Sequence, residues 1–279
     1  MSIRRVISSF AAEPDGILKF LQTQLRPGSS EQAPIFVVGP PRSGTTMLFT
    51  QITAYKGFVG PVNETGFFMT TNPFLVPMNP MPEQTWRQSV VRAKTQAELL
   101  DYAIRWYKDN LEAEYFIEKT PQHCLYYSRI FNMWPNAKIV GIIRHPLDCI
   151  ASSINNNDLI PQGNSIKNAA SYWLKCAQAV ARMRGLDRCH IIRYEDLTTN
   201  SGGINDILEF LMEKEMNSIA RKKPRHTYFG KKGFELLDSP MNPTRIGVWK
   251  QTMKANEIRI GWDLTHKIAA QFGYTATIA

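Results

Sequence analysis

The sequence predicts an α/β fold: a single domain with a central parallel sheet, helices on both faces and a P-loop-like strand–loop–helix. Three observations carry that expectation. Short apolar runs rich in β-branched residues, at 35–38, 115–117, 138–143 and 190–193, alternate with segments of helical period; a run apolar on both faces suits a strand buried within a parallel sheet. The first run leads through a glycine-bounded loop into a helix start, PIFVVGPPRSGTTMLFTQITAY over 34–55. The 279 residues, 43% hydrophobic and 20% charged, suffice for one large α/β domain or two small ones with a real core.

In chain order, residues 15–25 set Ile17, Leu18, Leu21 and Leu25 at helical spacing, and 26–33 (RPGSSEQA) is a linker by composition. The expected division is an N-terminal helix and linker over 1–33 and the α/β domain over 34–279. The strand at 35–38 ends at Gly39, the prolines and glycines of 39–44 make a tight turn, and Met47, Leu48 and Ile52 carry a helix over 45–55. Residues 58–82 (FVGPVNETGFFMTTNPFLVPMNPMP) hold no sustained period and read as a long loop with one short strand at its start, too apolar for disorder. One long helix is expected over 85–113. The second strand, 115–117, enters Glu118-Lys119-Thr120-Pro121 and a helix over 122–134. The third, 138–143, enters Arg144-His145-Pro146 and a helix over 147–154. A helix over 165–184, the strand 190–193 entering YEDL, a helix over 204–212, an irregular basic stretch over 221–250 and a closing helix over 255–272 complete the chain.

Composition narrows the function classes. No apolar run approaches the roughly 18 residues of a membrane span, and MSIRRVISSFAAEPDG lacks the long apolar stretch of a secretion signal. Four cysteines, Cys124, Cys149, Cys176 and Cys189, lie far apart with no C-x-x-C pair, which favours free thiols in a reducing, cytoplasmic setting over disulfides or zinc. A net charge of +9 points to an anionic partner: nucleic acid, a membrane surface or a polyanionic co-substrate.

The loop after the first strand narrows that choice. A nucleotide P-loop reads G-x-x-x-x-G-K-[ST]. Gly39, Gly44 and Thr46 fall on that frame, but Thr45 stands where the lysine that reaches the β- and γ-phosphates would be. Arg42 supplies instead a planar donor for an oxyanion. Backbone N–H groups and a helix N-terminus converge there, an arrangement that binds phosphate or sulfate. Further candidates begin where open α/β sheets place ligands, at the C-terminal ends of strands: Glu118 and Lys119, Arg144 with Ser152 further along the next helix, and Tyr194. Near the C-terminus, Arg245-Ile246-Gly247-Val248-Trp249-Lys250 adds an arginine and a glycine that allows close backbone approach.

Together these segments resemble the sulfotransferase family that uses 3′-phosphoadenosine 5′-phosphosulfate (PAPS). PPRSGTT is similar to the family's 5′-phosphosulfate loop in its arginine form, seen in tyrosylprotein, carbohydrate-type and many bacterial members. RHPLDCIAS resembles the 3′-phosphate segment, with its arginine and serine at Arg144 and Ser152. Tyr194 in RYEDL resembles the adenine-side tyrosine, RIGVWK the late R-x-G segment, and EKTP the lysine-bearing strand end at Lys119. The resemblance covers residues 34–274. It implies a donor site at Pro41, Arg42, Ser43, Gly44, Thr45, Thr46, Arg144, Ser152, Tyr194, Arg245 and Gly247, a 3′,5′-bisphosphoadenosine product and no metal. Cytosolic members place a catalytic histidine two residues after the strand-end lysine, where this chain has Pro121. Tyrosylprotein-type members use a glutamate some twenty residues beyond the loop arginine, and Glu64 lies 22 beyond Arg42. His123 is a second candidate base, or a histidine that only supports a helix start.

The implied chemistry is in-line sulfuryl transfer to a hydroxyl or amine, with Glu64 accepting the proton and Lys119 with Arg42 stabilising charge. The acceptor would be a small or lipid-like molecule. Residues 58–82 either line an apolar acceptor pocket or belong to the core. Nucleic acid is not expected as a partner. Competing readings are a P-loop kinase, disfavoured by the missing lysine, and a non-catalytic basic binding protein built on 221–232 (RKKPRHTYFGKK), with six Lys/Arg in twelve residues.

Overall fold

Five strands form one all-parallel sheet in the order β2-β3-β1-β4-β5: β1 (Ile35–Val38), β2 (Phe58–Val59), β3 (Tyr115–Lys119), β4 (Lys138–Ile143) and β5 (Cys189–Arg193). This computed structural model describes residues 26–69, 73–155, 165–199, 203–213 and 243–275. The helix expected at 15–25 and the basic run at 221–232 lie outside them.

The strand faces explain the two-sided cover. Phe36 and Val38 of β1, with Ile139 and Ile143 of β4, turn to one face and join Tyr107, Trp134 and Trp173 in the larger core cluster. Ile35 and Val37, with Val140 and Ile142, turn to the other, against Leu48 and Ile52 of α1 (Thr45–Thr53) and Ile207, Leu208 and Leu211 of a later helix, Gly203–Met212. The period of two in a strand sends alternate side chains to opposite faces, so a run apolar at every position needs cover on both.

Chain order reverses at β1. The path from β1 runs to β2 and back to β3 on one side, whereas β4 and β5 lie on the other. Register places Val37 opposite Lys119, Val38 opposite Gly141 and Ile143 opposite Arg193, so the carboxyl ends of four strands share one edge. The crevice there, between β1 and β4, is where doubly wound sheets receive ligands.

Three expectations need correction. The helix expected over 85–113 is two, α2 (Glu83–Arg92) and α3 (Gln96–Leu111). Thr95 ends the continuity: its side chain accepts from the Glu98 N–H at 3.1 Å, while Glu98 Oε2 accepts from the Lys94 N–H at 2.7 Å. That T-x-x-E helix-start signal stands in the sequence. The segment after β3 is a 3₁₀ turn, Pro121–Tyr126, followed by a short α4 (Tyr127–Met133). And β3 runs two residues beyond the expected 115–117, so Glu118 and Lys119 are strand residues with alternating faces.

The remaining helices are α5 (Pro146–Asn155), α6 (Ile166–Met183), α7 (Tyr194–Thr199), α8 (Gly203–Met212), α9 (Trp249–Thr252) and α10 (Ala255–Gln271). The segment after β2 is mostly interior: Phe67, Phe68, Phe74, Val76, Met78 and Met81 are all buried. Its backbone is pinned from α2 and α3, where Trp86 Nε1 donates to Pro73 O at 2.7 Å and the Tyr107 hydroxyl to Met78 O at 2.8 Å. Of the two readings of this loop, Phe67, Phe68 and Phe74 are core.

Candidate active site

The loop between β1 and α1 is shaped by close approach to β4. A Cβ on Gly39 would lie 2.1 Å from Ile142 O, and the Ser43 hydroxyl donates to the same carbonyl at 3.1 Å. Arg42 and Gly44 both take positive φ, 67° and 100°. Gly44 also runs under the ring of Tyr194, where a Cβ would meet Cδ2 at 2.6 Å. These constraints turn the chain so that α1 begins at Thr45 with its first-turn N–H groups at the sheet edge. Arg42 Nε donates to Ser152 Oγ at 3.0 Å, joining two expected donor-site residues, one in the β1–α1 loop and one in α5.

Lys119 is fully buried, and its Nζ donates to Glu64 Oε1 at 2.9 Å and to Thr46 Oγ1 at 3.2 Å. A buried ammonium is costly unless paired and hydrogen-bonded, and Glu64 with the α1 hydroxyl meets that need. The Glu64 side chain is 40% exposed, so the carboxylate touches both the buried cation and the outside. Pro121 closes the loop from below, its carbonyl accepting from the Gly39 N–H at 3.0 Å.

His123 lies elsewhere. It is fully buried, with Nδ1 at 2.7 Å from Glu118 Oε2 and Nε2 accepting from the Phe68 N–H at 3.3 Å. Both ring nitrogens are engaged inside the protein.

At the end of β4, Arg144 reaches across the crevice. It donates through Nη1 to Arg42 O at 3.3 Å and through Nη2 to Arg245 O, with its guanidinium 4.6 Å from the Tyr194 ring centre. Asp148, one helical turn on, lies 3.7 Å from Nη2 and accepts from the Gly247 N–H at 2.9 Å and the Trp249 N–H at 3.1 Å. The R-x-G segment is therefore held on both sides, by Arg144 at its carbonyl and by Asp148 at its amides. Burial raises the Tyr194 phenol above its ordinary value, with Arg144 and Arg245 opposing. Arg144 Nε is buried and, among the described residues, meets no hydrogen-bond partner. A cation held in place with an unused buried donor fits a phosphate group.

Arg42, Ser152, Arg144, Tyr194, Arg245 and Gly247 thus gather at the β1–β4 crevice, while Lys119, Glu64 and Thr46 meet beside β3. The link between these halves is the loop of Pro41, Ser43, Gly44 and Thr45. Sequence reasoning gave no role to three buried acids: Glu118, named only as the strand-end neighbour of Lys119, Asp148 and Glu195. Glu195 accepts from the His145 N–H at 3.0 Å and from the Tyr274 hydroxyl at 2.6 Å, tying the strand-end RHP turn to the chain after α10. Asp148 had a legible signal, an acid four residues after the strand-end arginine; the other two did not. No group of three or more metal-binding side chains occurs among the described residues.

The chain resembles the sulfotransferase domain of the Synechococcus PCC 7002 olefin synthase, with a TM-score of 0.67 and 19% identity over 89% of this chain and 97% of that one. The sulfotransferase domain of the curacin biosynthetic pathway gives 0.59, also at 19% identity, over 88% and 99%. An uncharacterized protein of Aquifex aeolicus (strain VF5) is 32% identical over 142 residues, which span 47% of this chain and only 18% of that protein. The family model described as "Sulfotransferase family" matches residues 34–214, more than half of the chain. On that match and the fold it occupies, the chain belongs to the sulfotransferase family.

Proposed function

We propose that the protein is a PAPS-dependent sulfotransferase that moves a sulfuryl group to a hydroxyl or amine of a small-molecule acceptor by in-line displacement. The observation that carries the reading is the fully buried Lys119 held between Thr46 of the anion loop and the half-exposed Glu64. A cation fixed beside the loop and a carboxylate open to the outside are the two groups a sulfuryl transfer requires of the protein.

Arg42 and the first-turn N–H groups of α1, with Thr45 and Thr46, would hold the 5′-phosphosulfate, and Arg144, Ser152 and the Arg245–Gly247 turn the 3′-phosphate. When bound, PAPS supplies the activated sulfuryl group and a phosphate leaving group. The acceptor oxygen or nitrogen forms the new bond to sulfur as the sulfur–oxygen bond to the phosphate breaks, and its proton passes to a Glu64 carboxylate oxygen. Lys119, itself buried away from water, offsets negative charge building on the leaving oxygen, and a charge so shielded acts strongly. His123 has no part in this transfer, since both ring nitrogens are committed to Glu118 and the Phe68 amide. The four free thiols support a reducing, cytoplasmic setting.

The test is an acceptor screen with PAPS, read by mass spectrometry as a gain of about 80 daltons, the mass of SO₃. Glu64→Gln should lower kcat by about 10²–10⁴-fold while still binding the bisphosphate product, the usual range for a lost general base. Phosphoryl transfer from ATP with no sulfuryl transfer would overturn the proposal.

A further inference from the structure

Glu118 is fully buried at the end of β3, beside Lys119 in sequence but on the opposite strand face. Three side chains converge on its carboxylate: Thr65 Oγ1 at 2.6 Å and Thr120 Oγ1 at 2.7 Å on Oε1, and His123 Nδ1 at 2.7 Å on Oε2. Each of the three also accepts a backbone N–H. Thr120 Oγ1 accepts from Gly66 at 3.1 Å, Thr65 Oγ1 from Phe67 at 3.1 Å and His123 Nε2 from Phe68 at 3.3 Å. The three amides are consecutive, and they begin two residues after Glu64.

We infer that Glu118 is a positioning residue for the proposed base: one buried carboxylate orients three side chains so that they receive the backbone N–H groups of Gly66, Phe67 and Phe68, which begin two residues after Glu64. The inference rests on the reading of Glu64 as the base. An ionised carboxylate accepts only, so each hydroxyl must point its hydrogen at Glu118 and keep a lone pair for an amide. The same logic puts the ring proton of His123 on Nδ1, which leaves Nε2 to accept from Phe68. Burial acts to raise the Glu118 carboxyl, but His123 and the two hydroxyls outweigh it and hold the group below the ordinary glutamate value. Strand β3 thereby grips both ends of the Glu64–Lys119 contact, the cation directly and the base through its own backbone. A buried polar network with every member satisfied favours one arrangement over its neighbours.

Glu118→Gln cannot satisfy this pattern. Its amide has one oxygen and one NH₂. If the oxygen takes the Oε1 side, the NH₂ faces Nδ1, forces the other ring tautomer and sets an N–H against Phe68. If the NH₂ takes that side, it meets two hydroxyls that must turn away. Thr65→Val removes one arm at nearly constant volume, and Thr65→Ser retains it. Hydrogen exchange of the Gly66, Phe67 and Phe68 amides reads the cradle directly, and single-turnover rates with saturating PAPS read its purpose.

In Glu118→Gln and Thr65→Val, exchange at these amides should quicken by roughly tenfold or more. The single-turnover rate should fall by about 10- to 100-fold, the cost of a misplacement near 1 Å, with bisphosphate affinity unchanged. Thr65→Ser should restore both. Placed in a Glu64→Gln background, Thr65→Val should cost almost nothing further, since it acts through the group already removed. Unchanged exchange overturns the cradle. Faster exchange with a normal rate, or an undiminished loss in the Glu64→Gln background, overturns the positioning role. A near-normal Glu64→Gln overturns the base itself and this role with it, while the exchange result still judges the cradle.

Discussion

Removal of Arg144 tests how the donor is recognised. Arg144 is buried, points Nη1 at Arg42 O and Nη2 at Arg245 O, stacks over Tyr194, and keeps Nε unpaired among the described residues. Arg144→Ala takes away the contact proposed for the 3′-phosphate, a charge-assisted bond worth about 1.5–3 kcal/mol. It also takes away the donor to Arg42 O, a neutral acceptor at 3.3 Å whose loss belongs near the low end of the roughly 0.5–1.5 kcal/mol range. The first loss applies only to a nucleotide with a 3′-phosphate; the second loosens the 5′ loop and applies to any. Affinity for 3′,5′-bisphosphoadenosine should therefore fall relative to that for AMP by roughly 10- to 150-fold, at about 1.4 kcal/mol per decade. AMP itself should weaken less than about tenfold. Isothermal titration calorimetry of both ligands against both proteins gives the ratio, and thermal melts show whether the variant is folded. Equal losses for the two ligands in a folded variant would refute the assignment of the 3′-phosphate to Arg144.

Three further outcomes follow from the structure. Phe68→Ala, which empties a site packed against Phe67, Tyr126 and His123, should cost about 3–5 kcal/mol of stability and lower the melting temperature by roughly 6–20 °C; a raised acceptor KM without that drop would put the ring in an acceptor pocket instead. Gly44→Ala sets a Cβ 2.6 Å from the Tyr194 ring at a backbone φ of 100°, so it should cost about 1–3 kcal/mol and weaken bisphosphate binding by calorimetry, whereas an unchanged affinity would show that the loop tolerates the shift. The His145 ring stacks between Trp249 and Trp262, and burial, with Arg144 adding to it against Thr275 O, Asp148 and Glu195, holds its pKa below the ordinary histidine value. Below about pH 6.5 the unfolded chain binds a proton that the folded ring resists, so stability falls with falling pH down to the folded pKa; His145→Phe should flatten that slope in melts between pH 7.5 and 5.5, leaving the share of His190, whose pKa burial also lowers.

The sequence by itself determined the parallel sheet and its first strand–loop–helix, and it marked the residues that the structure gathers at the β1–β4 crevice. Apolar β-branched runs between helical segments leave a parallel sheet as the way to bury both strand faces. The missing P-loop lysine at Thr45 and the arginines at 42, 144 and 245 are legible because each sits at a fixed distance from a strand end or a glycine. Residue spacing along one strand or turn survives folding unchanged, so local motifs carry their meaning in one dimension. Tertiary structure decided what depends on contacts between distant segments. Thr65 meets Glu118 across 53 positions, and Asp148 meets Gly247 across 99; no period or composition in either segment records the partner. The same holds for Phe67, Phe68 and Phe74, whose loop has no helical or strand repeat: Phe67 packs against Trp134, Phe68 against Phe36, Tyr126 and Trp134, and Phe74 beside Arg87 of α2. His123 looked like a candidate base in a helix start, and its meaning changed once the fold set Phe68 against one ring nitrogen and Glu118 against the other. Burial and hydrogen-bond partnership are properties of the packed chain, and they separate a group open to a substrate from one that holds the substrate's neighbours in place.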